Sequence, residues 1–266
     1  MVHRSLQAGL RAWVENQTQH SLGYVEQLYT FADRERTEAA HVLSISYLGL
    51  TREPEQPPQG DTSWQDWYSY FPWEDWRAGA PTVLADCIVP NLQAWVKEAP
   101  NTAQKQSRQA RAAINFGVNE QAWNEDLVLQ RYELLFEAGL VQEGAQRGMA
   151  VRDRLPGRSM QHDHRRILAT GIARLRAKIK YRPVVFELMP PAFTLLQLQQ
   201  TVEALAGRGL HKQNFRRLIE QQDLVEETGG VTAGGAGRPA KLFRFRSDVL
   251  QERAIAGSKL PLARGT

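Results

Sequence analysis

The sequence predicts an α+β protein in two parts, an acidic mixed domain followed by a basic domain of helix–turn–helix–strand–loop–strand order. Three observations carry this. Over residues 194–246, two runs of helical periodicity meet at a glycine-containing turn and lead into two strand-like runs around a glycine-rich loop. Residues 41–50, HVLSISYLGL, form the clearest strand of the N-terminal half, rich in β-branched and aromatic side chains. The net charge of +4 over 266 residues also conceals a division. Residues 1–151 carry 12 Lys and Arg against 19 Asp and Glu, net −7, and residues 152–266 carry 21 against 10, net +11. Such asymmetry points to an acidic domain joined to one that meets a polyanion.

In the basic half, Thr194 is placed to cap a helix by accepting from first-turn N–H groups. Leu195, Leu196, Leu198, Val202 and Leu205 then recur at helical spacing, and Gly207 and Gly209 supply permissive backbone for a tight turn. A second helix, from about His211 to Gln222, sets Phe215, Leu218 and Ile219 on one face and Gln213, Arg216, Arg217 and Glu220 on the other. Apolar beneath and basic above is what a major-groove reader requires. Leu224 and Val225 start a strand that ends at Thr228-Gly229-Gly230, then comes AGGAGRP, then Lys241–Arg246 alternating apolar and basic. This is the order of a winged helix-turn-helix. Arg238 at the wing tip is placed to enter a minor groove. A phosphate-binding P-loop is excluded for GGAGRPAK, which lacks Gly-Lys-Ser/Thr and precedes a strand rather than a helix. The candidate DNA contacts are therefore Lys212, Gln213, Arg216, Arg217 and Arg238.

Taken in order, residues 6–18 read as an amphipathic helix with Leu6, Leu10, Trp13 and Val14 on its apolar side. Tyr24 to Phe31 is strand-like, Asp33–Arg36 a charged turn, and Pro54–Asp61 a turn or linker. Seven aromatic residues between Trp64 and Trp76 are interleaved with Asp66, Glu74 and Asp75. Acids would repel phosphates, so these rings are expected in a core or dimer interface rather than stacked on bases. Pro81–Val96 reads as a helix broken by Pro90, and Asn101–Arg111 as an exposed helix or loop. Asn119 is placed to cap a long helix, Glu120–Gly139. Residues 146–161 are the expected linker between a domain at 1–145 and a winged helix at 162–250, with 251–266 a tail. Asp163 is placed to cap a helix from His164 to about Lys180, basic along Arg165, Arg166, Arg174 and Lys178 and apolar along Ile167, Leu168, Ile172, Leu175 and Ile179. Val184–Leu188 reads as a short strand.

Catalytic and metal-binding patterns are sparse. His162 and His164 do not share a helical face, and no His-Glu-x-x-His or Gly-x-Ser-x-Gly run occurs. No metal site and no resident cofactor are expected. The single cysteine, Cys87, excludes an intramolecular disulfide and suits a reducing, cytoplasmic setting. No run of about eighteen apolar residues exists to span a membrane.

Several stretches together resemble the Nudix-related transcriptional regulators of NAD metabolism, the NrtR family. They are Gly23–Asp33 (GYVEQLYTFAD), Val42–Leu50, Arg131–Leu135 (RYELL), and Asn214-Phe215-Arg216-Arg217 with the Gly-Arg-Pro-Ala wing. The resemblance implies a degenerate or partial Nudix-like α/β/α domain that senses ADP-ribose or a related nucleotide. It also implies a winged helix that binds duplex operator DNA as a homodimer, and hence a repressor of NAD biosynthesis or recycling genes. An active Nudix helix clusters carboxylates around Mg²⁺ through Arg-Glu-hydrophobic-x-Glu-Glu. The matching stretch here keeps Arg11 and Glu15 but has Ala12 and Asn16 where two glutamates belong, so hydrolysis is not expected. The plainer account of Arg11 and Glu15 is an i,i+4 ion pair. The alternative function is a Nudix hydrolase acting on ADP-ribose or related nucleoside diphosphates. The strands that precede a Nudix helix are not found before Met1, which fits either a shortened fold or a frame that begins inside a longer protein, the second being expected.

Overall fold

A computed structural model describes residues 5–18, 20–31, 44–52, 63–147, 155–232, 239–246 and 248. Their order is helix α1 (Leu6–Thr18), strands β1 (Val25–Phe31) and β2 (Ser44–Gly49), helices α2 (Val89–Lys97), α3 (Thr102–Phe116), α4 (Val128–Glu137), α5 (His164–Ile179), α6 (Leu195–Ala206) and α7 (Lys212–Gln222), then strands β3 (Val225–Val231) and β4 (Lys241–Phe245). Strands β1 and β2 form one two-stranded sheet, β3 and β4 another. The charged turn at 33–36 and the segments 54–61 and 251–266 lie outside the described residues.

The chain divides into two compact units. The first comprises Met1–Tyr29, Tyr47–Trp64 and Leu175–Thr266; the second comprises Thr30–Ser46 and Gln65–Arg174.

The second unit is built on the aromatic cluster. Phe71 and Trp73 are fully buried, with Ile88, Leu92, Trp95, Phe116, Val128, Tyr132, Leu134 and Leu135 around them. The core reading of these rings therefore holds for Tyr68, Phe71 and Trp73. Their acidic neighbours have local tasks. Asp66 accepts from the Tyr68 N–H at the start of a 3-10 turn, Asp75 pairs with Arg77, and Glu74 is buried against Arg131. Arg131 donates Nε and Nη2 to the two carboxylate oxygens of Glu74 at 2.6 and 2.8 Å, and both side chains are 0% exposed. Its Nη1 donates to the carbonyls of Asn115 (3.1 Å) and Asn124 (2.8 Å), and the Trp123 ring lies 3.8 Å beneath the guanidinium. One side chain thus ties four chain segments together.

Several helix ends differ from expectation. Asn119 and Glu120 adopt left-handed backbone (φ 54° and 67°), so neither caps nor continues a helix, and α4 begins only at Val128. The predicted helix over 120–139 is shortened by eight residues at its start because the loop before it supplies the Asn124 carbonyl to Arg131. Gly139 ends α4 as expected, with φ 68°. Pro90 does not break a helix but sits in the first turn of α2, where no N–H is needed, after a π-helical turn at Leu84–Ile88. Asn101 caps α3 by accepting from the Gln104 N–H.

Within α5, Arg165 is not on a solvated basic face but buried at 2% exposure. It reaches Glu143 at 3.3 Å and the Tyr70 carbonyl, against the rings of Phe71, Trp73 and Tyr132. Burial pushes its guanidinium below the ordinary value and pushes the Tyr132 phenol up, with Glu143 opposing the first and adding to the second. Arg166 pairs with Glu133. Of the four basic positions read along this helix, Arg174 is the one left exposed.

Breaking the Arg131–Glu74 pair leaves a charge buried without its partner. Arg131→Ala is expected to destabilise the protein by about 3–5 kcal/mol, measured as a lowered urea midpoint in fluorescence-monitored unfolding.

Candidate nucleic-acid interface

The first unit holds the basic helix and its supports. Thr194 caps α6 as its position predicts, through a reciprocal box: its hydroxyl accepts from the Gln197 N–H (3.1 Å), and Gln197 Oε1 accepts from the Thr194 N–H (2.8 Å). Leu195, Leu198, Val202 and Leu205 are buried, whereas Leu196 is 49% exposed, one position off the stripe. Gly207 ends the helix in the left-handed region at φ 71°. Beneath it, the buried Arg176 of α5 donates Nε to the Leu205 carbonyl at 3.1 Å, satisfying one of the last-turn acceptors of α6.

The turn into α7 is clamped by side chains. Glu203 Oε1 accepts from the Leu210 N–H at 2.8 Å, while the Gln199 amide donates to the Leu210 carbonyl and to Glu203 Oε1, each at 3.0 Å. Both backbone groups of Leu210 are therefore held by α6, which sets where α7 starts. Helical periodicity alone did not single out Gln199 and Glu203; an amide and a carboxylate at i,i+4 just before a glycine turn is the signal that points to them.

Helix α7 buries Phe215 and Ile219 and exposes Lys212, Gln213, Asn214, Arg216 and Arg217. Among the described residues, Lys212, Gln213, Arg216 and Arg217 have no hydrogen-bond or ion-pair partner, so their donors face water. Asp223 closes the helix in left-handed backbone (φ 52°).

Strands β3 and β4 pair antiparallel, with Val225 opposite Phe245, Glu226 opposite Arg244 and Glu227 opposite Phe243. The register then shifts before Val231, where Gly229 takes φ +77° in open space, so glycine is needed there for the backbone and not for room. Phe193 adds a single bridge to Phe243, its N–H and carbonyl both bonded at 2.9 and 2.8 Å. The basic alternation of β4 is not free: Lys241 pairs with Glu227 (2.7 Å), Arg244 with Glu226 (2.6 Å) and Arg246 with Asp223. Arg238 at the wing tip lies outside the described residues.

Val184–Leu188 is a 3-10 turn and not the expected strand. Val184, Val185 and Phe186 are all buried, which a one-sided strand cannot achieve because its side chains alternate. Phe186 instead stacks on Phe245 at 4.3 Å and lies near Phe193, seating the wing.

The same unit contains helix α1, on which the sequence places Arg11, Ala12, Glu15 and Asn16. Helix α1 has the bounds expected, but Leu6 and Trp13 are exposed and none of its residues is buried. Arg11 is not paired with Glu15: its guanidinium donates to the carbonyls of Leu22 and Gly23, the latter at 2.6 Å. Lys178 of α5 bonds the Tyr24 hydroxyl and the Glu26 carboxylate, and burial with the Glu26 hydrogen bond raises the Tyr24 phenol against the opposing pull of Lys178. Among the described residues, no group of three or more His, Cys, Asp or Glu converges as metal ligands would.

A family model for the NrtR DNA-binding winged helix domain matches residues 185–245. Over 83 residues the chain is 42% identical to the ADPR responsive transcriptional repressor NtrR of Acinetobacter baylyi, covering 31% of this chain and 33% of that protein. The chain thus spans about a third of the length of the curated relative it matches. The crystal structure of Shewanella oneidensis NrtR complexed with a 27mer DNA aligns at TM-score 0.47 and 20% identity, covering 94% of this chain and 76% of that one. The Shewanella oneidensis NrtR structure described without DNA aligns at TM-score 0.45 and 20% identity, covering 92% and 75%.

Removing the clamp carboxylate leaves the Leu210 N–H and the Gln199 amide each short of an acceptor. Glu203→Ala is expected to cost about 1–3 kcal/mol in urea unfolding, and Glu203→Gln, which keeps an acceptor oxygen, clearly less.

Proposed function

We propose, from the premise that residues 185–245 belong to the NrtR winged-helix family, that this protein is a DNA-binding transcriptional regulator acting as a repressor. The observation that carries the reading is the exposed face of α7. Lys212, Gln213, Arg216 and Arg217 project unpaired from a helix whose start is fixed by the Glu203–Gln199 clamp. A helix held by its underside with free bidentate donors above is suited to base edges and phosphates of a major groove. Arg238 would add a minor-groove contact from the wing.

The sensing half of the proposal rests on the curated relative, which is described as responsive to ADPR, and on the resemblance of residues 23–50 and 131–135 to Nudix-related regulators. In this reading residues 1–145 form a Nudix-like sensing and dimerising domain, 146–161 the connection, and 162–250 the DNA-binding domain. ADP-ribose or a related nucleotide is the effector, not a resident cofactor, and the genes controlled are those of NAD biosynthesis or recycling. Non-hydrolytic action follows from Ala12 and Asn16 in place of the two glutamates that would hold Mg²⁺ with Glu15. No helix among the described residues is long and apolar enough to cross a membrane, and a cytoplasmic homodimer fits a protein that reads a two-fold operator.

Arg216→Ala is expected to lose about 1–3 kcal/mol of specific binding and to relax base preference at one operator position, read by selection from a random duplex library. Equal affinity and equal preference in that variant would remove α7 as the reader. Calorimetry with ADP-ribose is expected to show binding, and a phosphate-release assay with Mg²⁺ no turnover. Sustained turnover would favour the hydrolase.

A further inference from the structure

We infer that the acids that follow α7, foremost Glu226 and Glu227 of β3, are a specificity device: they hold Lys241, Arg244 and Arg246 in internal pairs, so that these three cations add little sequence-blind attraction to phosphate beside the free donors of α7. The inference deepens the DNA-binding reading and rests on it.

The basis is a partition of charge within one unit. Lys212, Arg216 and Arg217 on α7 are exposed without partners among the described residues. By contrast Lys241, Arg244 and Arg246 each meet a carboxylate, from Glu227, Glu226 and Asp223. The Glu226–Arg244 pair is directly cross-strand, so register places the acid against the base. The Lys241–Glu227 and Arg244–Glu226 side chains are largely solvated (Lys241 66% and Glu227 52% exposed), and such exposed pairs contribute little to folding. Their larger effect is on the field. A free cation that meets a phosphate releases a counterion and binds any duplex sequence, whereas a cation already neutralised does so weakly. Sequence-blind binding rises with each free wing cation, while base readout by α7 does not. Acids on β3 therefore raise the ratio of specific to non-specific binding without touching a base.

The test replaces both acids by isosteric amides in the full chain, Glu226→Gln with Glu227→Gln, and titrates two fluorescent duplexes across a range of salt. One has random sequence; the other is the duplex the wild type enriches from a random library. The expected result is about tenfold tighter binding to the random duplex, with a salt slope steeper by about one to two, at about 0.9 for each freed cation. Binding to the enriched duplex should rise less, so their ratio falls. Adding Lys241→Gln and Arg244→Gln should restore the wild-type slope. The double variant should keep the wild-type urea midpoint, so that its gain on the random duplex is not that of a loosened basic chain. Unchanged slope and random-sequence affinity in the double variant would overturn the inference, and so would an equal gain on both duplexes. The DNA-binding reading fails separately, if the wild type binds no duplex at any salt or Arg216→Ala binds as it does.

Discussion

Among the described residues, water is excluded from the guanidinium groups of Arg131, Arg165 and Arg176, and the need to satisfy them shapes each unit. A guanidinium offers five donors in a rigid fork and does not lose its proton, so burying one requires acceptors placed in its plane. Arg131 meets this with both oxygens of Glu74 and the carbonyls of Asn115 and Asn124, joining segments that lie 57, 16 and 7 residues away in sequence. Arg165 meets it with Glu143 and the Tyr70 carbonyl inside a wall of aromatic rings. In the first unit, Arg176 takes the Leu205 carbonyl at the end of α6, immediately before the turn that positions α7.

The same residue type therefore has opposite tasks at different depths. Arginine inside is a fastener, and arginine outside on α7 is left unpaired among the described residues. Between these extremes stand Lys241 and Arg244 of β4, exposed yet matched by acids of β3, and the half-buried Arg246 beyond it, matched by the α7 cap. A count of basic residues cannot separate the three groups. Net charge gives the sign of the long-range field, while local pairing decides which cations remain available to a polyanion.

Backbone groups as well as the buried Phe215 and Ile219 set the position of α7. Helix α6 is capped at its start by Thr194 and Gln197, bonded near its end by Arg176, and linked to Leu210 by Gln199 and Glu203. Each of these closes a backbone donor or acceptor that helix geometry leaves open. The outcome is a turn whose two backbone groups at Leu210 are both held, and a following helix whose start is set from below.

Sequence by itself determined the α+β class, the bounds of α1, the capped start of α6, the apolar underside and exposed donors of α7, and the strand–loop–strand order of the wing. These depend on local periodicity and on capping chemistry within four residues, which a linear chain displays openly. Tertiary structure alone decided the rest. Asn119 and Glu120 take left-handed backbone and shorten the helix read over 120–139, because that loop supplies an acceptor to Arg131. Val184–Phe186 fold as a buried turn in spite of their strand-forming side chains, because all three must leave water together. Arg11 leaves Glu15 for the carbonyls of Leu22 and Gly23, and Arg165 leaves the solvated face for the core. In each case a donor or an apolar side chain found its partner outside its own element, and such partners are not written in the spacing of neighbours.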